Sequence, residues 1–254
     1  MKITIITITY NAEKVLRPTL QSVERQTHND VEHWIIDGAS KDETLKLAEE
    51  YKRHDDAIEN GHEVKILSEP DNGIYFAMNK GLKRATGDYV LFLNAGDTLA
   101  SNDTLDEVCA SVGDGEELPA VIYGDTDVVD TEYHFEHHRR LKPPKKLTWR
   151  SFRFGMLVCH QAFYARRDIA QQIPYDTQFR HSADVDWCIK VMKEGARRGL
   201  PNRRVHAVVA NFLDGGDSTQ NHRESLRERF RVMCRHYGVV TTVVMHVWFV
   251  IRSL

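Results

Sequence analysis

The sequence predicts an α/β domain with a mostly parallel central sheet flanked by helices, and two observations favour this class. Strand-like and helix-like segments alternate through the first hundred residues. The strand-like segments are unbroken apolar runs that stop at polar turns, as in residues 3–9 and 89–93, which is typical of strands buried on both faces of a sheet. Such alternation specifies a parallel sheet with right-handed crossovers, and 254 residues can form one such domain.

The elements of the first half follow from these patterns. Residues 3–9 are β-branched throughout and predict the first strand. Apolar side chains then recur at helical spacing in residues 15–26. After a second strand at residues 31–36, either Ser40 or Asp42 could cap the next helix. The remaining predictions are strands at residues 64–67 and 89–93 and a helix at residues 74–85.

A candidate site lies in the stretch 87–99, whose apolar run ends abruptly in the turn 94–97. In open α/β sheets, ligands bind beyond the carboxyl ends of the strands. A carboxylate there, such as Asp97, can hold a divalent cation that bridges phosphates. Thr9 and Asp37 end two other predicted strands, so a parallel sheet would bring them to the same edge. A polar turn without a ligand is the alternative interpretation.

The second half gives a weaker pattern. Residues 121–130 predict a strand that ends at Asp125 and Asp127, and we interpret these acids as a solvated turn rather than as acceptor contacts. Residues 134–146 predict a mobile basic loop, which could close over phosphates or simply be solvated. Further predictions are helices at residues 187–194 and 225–237, a strand at 205–212 and a glycine turn at 214–218.

The last stretch, residues 239–251, is largely apolar and too short for an ordinary transmembrane span. We favour a terminal helix that packs on the core. The alternative is an amphipathic helix lying on a membrane, a peripheral contact that would suit a lipid-linked acceptor.

Composition excludes some classes. A net charge of −3 gives no electrostatic footprint for nucleic acid, so no nucleic-acid partner is expected. The four cysteines lack metal or disulfide spacing and predict reduced thiols. Residues 1–6 do not form a signal peptide. We therefore expect a cytoplasmic protein, with the inner face of the plasma membrane as a further option.

Four collinear segments resemble glycosyltransferase family 2, namely residues 5–12, 35–44, 71–81 and 87–97. The resemblance is to bacterial polysaccharide glycosyltransferases of the colanic-acid type. It implies the GT-A fold, Mg²⁺ or Mn²⁺ as cofactor and inversion at the anomeric carbon. The implied donor is a nucleotide diphosphate sugar, with a UDP-sugar favoured, and the implied acceptor is a glycan or a lipid-linked hydroxyl.

The resemblance also implies roles for particular residues. Asp37 resembles the aspartate that meets the nucleotide base, and Asp97 resembles the metal-binding aspartate. The family usually has further acids beside the latter, where this chain has Asn94 and Gly96; Asn94 can still offer a neutral oxygen. The other residues implied to contact the donor are Thr9 and Asn11 at the nucleotide pocket, and Asp71, Gly73 and Lys80 along the ribose and phosphates.

A second centre is predicted around Asp184. Inversion needs one carboxylate that takes the proton of the acceptor hydroxyl, and Asp184 aligns with the catalytic aspartate of the family's Glu-Asp motif, with Ala183 in place of Glu. Asp186 is its rival on the acceptor side, and capping a helix is the alternative for both. His160 and Gln161 either line the acceptor side or are core residues with satisfied hydrogen bonds. His222 weakly resembles a histidine at the metal or leaving phosphate.

The predicted organisation is one GT-A domain at residues 1–215, followed by a helical segment at 216–254. Within the domain, residues 1–100 bind the nucleotide sugar and residues 101–215 face the acceptor. Alternatively, the chain is a non-catalytic relative that binds a nucleotide sugar or partners another transferase. This alternative is suggested by Ala183 in place of Glu, and by Asn94 and Gly96 where the family usually has acids. A dinucleotide-binding or nucleotidyltransferase site would need a glycine-rich loop after the first strand, where the chain has Tyr-Asn-Ala-Glu.

Overall fold

The computed structural model describes residues 1–58, 60–113, 117–215 and 222–253. Its described residues form one nine-stranded sheet. The order of eight strands is β3 (His62–Ser68), β2 (Val31–Asp37), β1 (Ile3–Thr9), β4 (Tyr89–Phe92), β8 (Phe163–Arg166), β6 (Val121–Val129), β9 (Asn202–Leu213) and β5 (Thr98–Leu99), and β7 (Phe135–His138) pairs with β6 off this path. The four strands at one end are mutually parallel, whereas β8 is antiparallel to both of its neighbours. The predicted α/β class with a mostly parallel sheet is therefore confirmed.

The first half follows the predicted alternation closely. The parallel strands are β1 (Ile3–Thr9), β2 (Val31–Asp37), β3 (His62–Ser68) and β4 (Tyr89–Phe92). The helices between them are α1 (Leu16–Glu24), α2 (Thr44–Ile58) and α3 (Ile74–Arg84). The register pairs Thr9 with Asp37, so these two strand ends meet at one edge as predicted, and it pairs Asp37 with Ser68 at the end of β3, which was not predicted. Asp42 accepts a hydrogen bond from the Thr44 backbone N–H at the start of α2.

The second half completes the sheet with a mixture of directions. Its strands are β5 (Thr98–Leu99), β6 (Val121–Val129), β7 (Phe135–His138), β8 (Phe163–Arg166) and β9 (Asn202–Leu213). Its α-helices are α4 (Thr104–Ala110), α5 (Arg167–Ala170), α6 (Ala183–Arg197), α7 (His222–Tyr237) and α8 (Val239–Ser253). Two 3-10 helices span Trp149–Phe154 and His160–Ala162.

Two predictions for the second half are wrong in detail. Asp125 and Asp127 lie inside β6 and not in a turn. Their carboxylates are tied to neighbouring strands, Asp125 to Arg204 at 3.0 Å and Asp127 to His138 at 2.7 Å. Part of the predicted basic loop forms the exposed strand β7, which pairs with β6. Ion pairing between strands thus makes charged residues compatible with a strand here.

A column of aromatic rings fixes α6 against the parallel sheet. Trp187 of α6 stacks on Tyr175 with ring centroids 4.8 Å apart, and Tyr175 stacks on Tyr75 of α3 at 5.5 Å. Phe92 at the end of β4 meets the edge of Trp187 at 5.5 Å. Buried aromatic pairs add to the stability that burial provides. The column therefore holds the start of α6 close to the carboxyl end of β4.

The terminal helix α8 packs on one side only. Thr242 and Met245 are buried, while most of its valines are exposed. The preferred interpretation of a core-packing helix is therefore correct for one face and wrong for the other. Among the described residues, no helix has the length and apolar character needed to cross a membrane.

Candidate active site

The carboxylate of Asp37 joins the ends of three parallel strands. Its oxygens accept hydrogen bonds from the Thr9 hydroxyl of β1 at 3.0 Å, the Ser68 hydroxyl of β3 at 2.7 Å, and the backbone N–H and hydroxyl of Ser40 at 3.0 and 2.5 Å. The residue is only 1% exposed. Asp37 and Thr9 are thus brought together as predicted, but in a bracing role that leaves little of the carboxylate open to a nucleotide.

Beside Asp37, the residues Tyr10, Asn11 and Asp71 form a more accessible surface, which we call the open rim. Asn11 adopts a φ of 49°, a left-handed conformation that Asn tolerates, and its side-chain oxygen accepts the Lys41 backbone N–H at 2.9 Å. The neighbouring Tyr10 is 64% exposed. A Cβ at Gly38 would lie 3.2 Å from both the Tyr10 ring and the Asp71 carboxylate. Tyr10 was missed by the sequence analysis, although an aromatic residue directly after a buried strand was a usable signal.

The loop before α3 is held by its own side chains. Asp71 accepts the backbone N–H of Gly73 at 2.9 Å, and Gly73 has a φ of 126° that favours glycine. The Lys80 ammonium donates to the Pro70 carbonyl at 3.0 Å and pairs with Glu69 at 3.2 Å. Asp71 therefore lies near the open rim, whereas Lys80 secures the loop from behind.

Asp97 is a buried carboxylate just beyond β4. It is 5% exposed, and it accepts hydrogen bonds from the Gln161 amide at 3.0 Å and the Leu213 backbone N–H at 3.2 Å. Burial raises the pKa of Asp97 to about 7, even though the nearby His160 and these two hydrogen bonds act in the opposite direction. Asp97 therefore titrates near neutral pH.

A line of polar side chains runs from the end of β4 to α6. The Asn94 amide N–H donates to His160 Nε2 at 3.1 Å, which assigns the proton of a neutral His160 to Nδ1. His160 Nδ1 lies 3.7 Å from the Asp184 carboxylate. The Tyr75 hydroxyl donates to the other oxygen of Asp184 at 3.3 Å. Tyr75 is a second residue that the sequence analysis missed, since nothing in its local pattern distinguishes it from a core tyrosine.

Asp184 is ionised at neutral pH in this setting. Burial opposes ionisation, but the neighbouring His160 imidazole and the charge of Arg229 keep the pKa of Asp184 below its ordinary value. Its side chain is 18% exposed. An ionised, partly accessible carboxylate held from two sides is suited to accept a proton.

The start of α6 is capped by a carboxylate from α7. Glu228 accepts the backbone N–H groups of Arg180, His181 and Ser182 at 2.8, 2.7 and 3.0 Å. The Glu228 carboxylate thus binds the backbone directly before the first helical residue, Ala183, where Ser182 provides no side-chain cap. The next residue, Arg229, has a buried Nε without a hydrogen-bond partner among the described residues. The predicted helical segment is therefore part of the support of Asp184.

Asp186 is directed elsewhere. Its buried carboxylate pairs with Lys190 at 2.5 Å and with His236 of α7 at 2.7 Å, and Arg235 lies at 3.6 Å. Residues two apart on a helix do not share a face, so the structure separates Asp186 from the line that contains Asp184. Burial acts to raise the pKa of Asp186, but the contacts with His236 and Lys190 outweigh burial and lower this pKa below its ordinary value.

The residues at this edge fit a cation that is shared with a ligand. Within the described part of the chain, no group of three or more His, Cys, Asp or Glu side chains could hold a metal ion by itself. Mg²⁺, however, is usually bound through one or two carboxylates together with substrate phosphates. Asp97 offers the carboxylate, and the buried side-chain oxygen of Asn94 has no hydrogen-bond partner among the residues that the structure describes.

The structure describes only the first two residues of the predicted glycine turn 214–218, and of His222 only its position in a helix. Asp214 and Gly215 follow β9 directly, and the Asp214 backbone N–H donates to the Val129 carbonyl at 3.1 Å. Residues 216–221 lie outside the described residues. His222 is described only as the first residue of α7.

Comparison with known proteins decides the family. The model of the family described as Glycosyl transferase family 2 matches residues 4–173. The chain belongs to glycosyltransferase family 2. The transferase is 36% identical to a PGL/p-HBAD biosynthesis glycosyltransferase of Mycobacterium tuberculosis over 217 residues. The aligned residues make up 84% of this chain and 77% of the relative. It is 29% identical to an uncharacterized glycosyltransferase of the same species, over 74% of this chain and 68% of that one.

Solved structures show the same fold. Crystal structures of S. aureus TarS, alone and in complex with UDP-GlcNAc, each match with a TM-score of 0.71, at 18% and 17% identity. They cover 98% and 96% of the transferase, and 72% and 70% of the TarS chains. A Pyrobaculum calidifontis mannosyltransferase in complex with GDP-Man and Mn²⁺ matches with a TM-score of 0.64 at 15% identity, over 96% of this chain and 73% of that chain. The transferase therefore has the predicted GT-A fold.

Proposed function

We propose that the transferase moves a hexosyl or related sugar from a nucleotide diphosphate sugar to a hydroxyl of a glycan or lipid-linked acceptor, with inversion at the anomeric carbon. The proposed process is surface polysaccharide biosynthesis. The observation that carries the proposal is the line from Asn94 through His160 to Asp184, because it places an ionised carboxylate opposite the end of β4. Direct displacement by an acceptor hydroxyl needs one such carboxylate as general base.

Asp184 is the proposed catalytic base. In the reaction, the acceptor oxygen forms a bond to the anomeric carbon while the bond from that carbon to the diphosphate oxygen breaks. The hydroxyl proton passes to Asp184, and the diphosphate leaves with the electron pair. The Tyr75 hydroxyl donates to one oxygen of Asp184, and His160 Nδ1 lies 3.7 Å from the other, so both neighbours restrict the orientation of the carboxylate. His160 and Gln161 belong to the proposed acceptor side.

The proposed donor site is the edge formed by the ends of β1, β2 and β4. The exposed Tyr10 ring beside Asp71 offers a stacking surface for a nucleobase. Thr9, Asn11, Asp37, Gly73 and Lys80 shape the walls around it. Two of the structures named above are complexes, one with UDP-GlcNAc and one with GDP-Man, which supports a nucleotide sugar; a UDP-sugar is the favoured donor here.

Mg²⁺ or Mn²⁺ is the proposed cofactor. Asp97 and the side-chain oxygen of Asn94 would hold it, with donor phosphates completing its coordination. When bound, the ion neutralises negative charge on the diphosphate. Because a cation binds the ionised carboxylate, it would compete with the proton that Asp97 takes up near pH 7.

The proposed location is the cytoplasm, at the inner face of the plasma membrane, where a lipid-linked acceptor would be held. The mycobacterial relative is named for PGL/p-HBAD biosynthesis, and a glycoconjugate acceptor for this chain is consistent with that name. The proposed division of labour is a nucleotide-sugar half at residues 1–100 and an acceptor half at 101–215. The hydrogen bonds to Glu228 and the contact of His236 with Asp186 support α7 as a further part of the acceptor half.

The first test combines donor binding with turnover. We expect one of the UDP-, GDP-, CDP- and dTDP-sugars to raise the melting temperature in the presence of Mn²⁺, in wild type and in Asp184→Asn. Asp184→Asn should lose turnover by on the order of a hundred- to ten-thousand-fold. Asp127→Asn, which removes a carboxylate outside the line, is the matched control and should keep turnover. Full turnover in Asp184→Asn, or no response to any donor, would contradict the proposal.

A second candidate function is a non-catalytic relative that binds a nucleotide sugar or partners another transferase. Asn94 and Gly96 in place of acids, and Ala183 in place of Glu, favour it. In that case a donor would raise the melting temperature, but wild type would neither transfer the sugar nor hydrolyse the donor. Metal-dependent donor hydrolysis that Asp184→Asn removes would exclude this alternative.

A further inference from the structure

The outer face of α8 is apolar without interruption. Val240, Val243, Val244, Val247 and Ile251 follow one another at helical spacing and are between 47% and 79% exposed. Residues 239–251 contain no Asp, Glu, Lys or Arg. A contiguous exposed apolar surface of this kind marks an interaction site more often than a solvated face.

The opposite face of α8 is occupied by the protein. His246 meets the Phe230 ring of α7 at 5.0 Å, and Trp248 meets Phe154 of the first 3-10 helix at 5.9 Å. Thr242 is fully buried between these contacts. The helix is therefore fixed to the body of the transferase with its apolar face turned outwards, and the face is a formed surface rather than a frayed end.

Arginines lie on both sides of this apolar face. On α7, Arg223, Arg227 and Arg231 repeat every four residues, so they share one face of that helix. All three are exposed, and none forms an ion pair with a described residue. On the 3-10 helix Trp149–Phe154, the guanidinium groups of Arg150 and Arg153 lie 4.9 and 4.8 Å from the Trp149 and Phe154 rings.

Residues 222–254 are basic, whereas the whole chain is slightly acidic. Residues 222–254 contain six arginines, two glutamates and neither lysine nor aspartate, in a chain whose net charge is −3. A basic surface around an apolar helix face is the pattern of helices that lie in a membrane interface, where anionic head groups attract the cations and the apolar face enters the acyl boundary.

We propose that the outer face of α8 rests on a lipid surface that carries anionic head groups. The helix would lie in the plane of the interface, with the arginines of α7 and of the 3-10 helix against the head groups. A second copy of the chain is a poorer occupant, because a twofold contact through α8 would bring the exposed arginines of both copies together. The proposal does not depend on the proposed transfer reaction, since lipid binding needs neither donor nor acceptor.

The test is sedimentation of the full chain with vesicles of phosphatidylcholine alone or mixed with phosphatidylglycerol. We expect at least tenfold tighter binding to the anionic vesicles, weakened by 0.5 M salt, a concentration at which screening acts within about 4 Å. Val240→Ser/Val244→Ser/Val247→Ser should lose binding to both. Arg223→Gln/Arg227→Gln/Arg231→Gln should weaken binding to anionic vesicles by on the order of a hundredfold, about fivefold for each arginine.

Two control variants make the same chemical changes elsewhere. Ile58→Ser removes an exposed apolar residue from α2, and Arg17→Gln/Arg25→Gln/Arg53→Gln removes three exposed arginines from α1, its end and α2. Both should bind vesicles like wild type, and all variants should keep the wild-type melting temperature. Absence of wild-type binding to anionic vesicles would overturn the proposal. The proposal would also be overturned if wild type did not bind the vesicles and instead formed a dimer, seen by light scattering, that the valine substitutions dissociate.

Discussion

Asp37 and Asp97 are both buried carboxylates beyond strands of the same parallel set, yet their surroundings differ. Asp37 receives four hydrogen bonds from Thr9, Ser40 and Ser68. Asp97 receives two, from Gln161 and Leu213, and burial raises its pKa to about 7. The number of donors around a buried carboxylate thus separates a structural brace from a group that can still exchange a proton or a cation.

The largest effect is expected at the brace. Asp37→Ala leaves the Thr9, Ser40 and Ser68 donors buried without an acceptor, so the free energy of unfolding should fall by about 3 to 5 kcal/mol. Urea unfolding measures it. Asp127→Ala, which breaks a hydrogen bond with a largely exposed histidine, should change the same quantity by less than about 1 kcal/mol. Similar losses in both variants would contradict the bracing role of Asp37.

The second effect concerns the pH dependence of stability. Because burial raises the pKa of Asp97 from 3.8 to about 7, the folded protein binds more protons than the unfolded chain between these pH values. Its free energy of unfolding should therefore fall as pH rises through this window. Without metal, Asp97→Asn should abolish this contribution and be the more stable protein at pH 8, by up to about 4 kcal/mol.

Urea unfolding of wild type and Asp97→Asn from pH 4 to pH 8, without divalent cations, measures the difference. Mn²⁺ together with the donor should raise the stability of wild type at pH 8 and leave that of Asp97→Asn unchanged. Parallel stability curves for the two proteins would show that Asp97 does not take up the proton.

The smallest effect is expected at the cap of α6, where a carboxylate also meets several donors. Glu228→Gln replaces charge-assisted hydrogen bonds to three backbone N–H groups, so the free energy of unfolding should fall by about 1.5 to 3 kcal/mol. Because the same cap positions Asp184, kcat should fall about tenfold or more while donor KM changes little.

Glu107→Gln is the matched control for the cap, since it neutralises an exposed acid in the first turn of α4. It should leave kcat unchanged and alter stability by only a few tenths of a kcal/mol. If Glu228→Gln lowered stability without changing kcat, the cap would be structural only.

Much of the first half could be predicted from the sequence because its signals are local. The strand at residues 3–9 is confirmed residue for residue, since an unbroken β-branched run next to a turn has few other structures. The meeting of Thr9 and Asp37 followed from the parallel arrangement alone. The donor count that distinguishes Asp37 from Asp97 could not be predicted, because Ser68, Gln161 and Leu213 come from distant parts of the chain.

The second half was harder to predict for the same reason. Asp125 and Asp127 were interpreted as a turn because their partners, Arg204 and His138, lie in other strands. The cap from Glu228 joins residues 46 to 48 positions apart, which no sequence period reveals. The apolar stretch 239–251 was interpreted as packing on the core, because helical periodicity cannot distinguish an apolar face that is buried in the protein from one that is exposed.

The Glu228 cap has a consequence for biosynthesis of the transferase. Domains generally fold from the N-terminus during synthesis, and the strand ends of the proposed donor site are synthesised once β4 is complete. The carboxylate that supports Asp184 is made more than forty residues after Asp184 itself. On the proposed assignment, a nascent chain would acquire its donor site well before the proposed base is held in place, and a ribosome-bound intermediate would be able to bind a donor without consuming it.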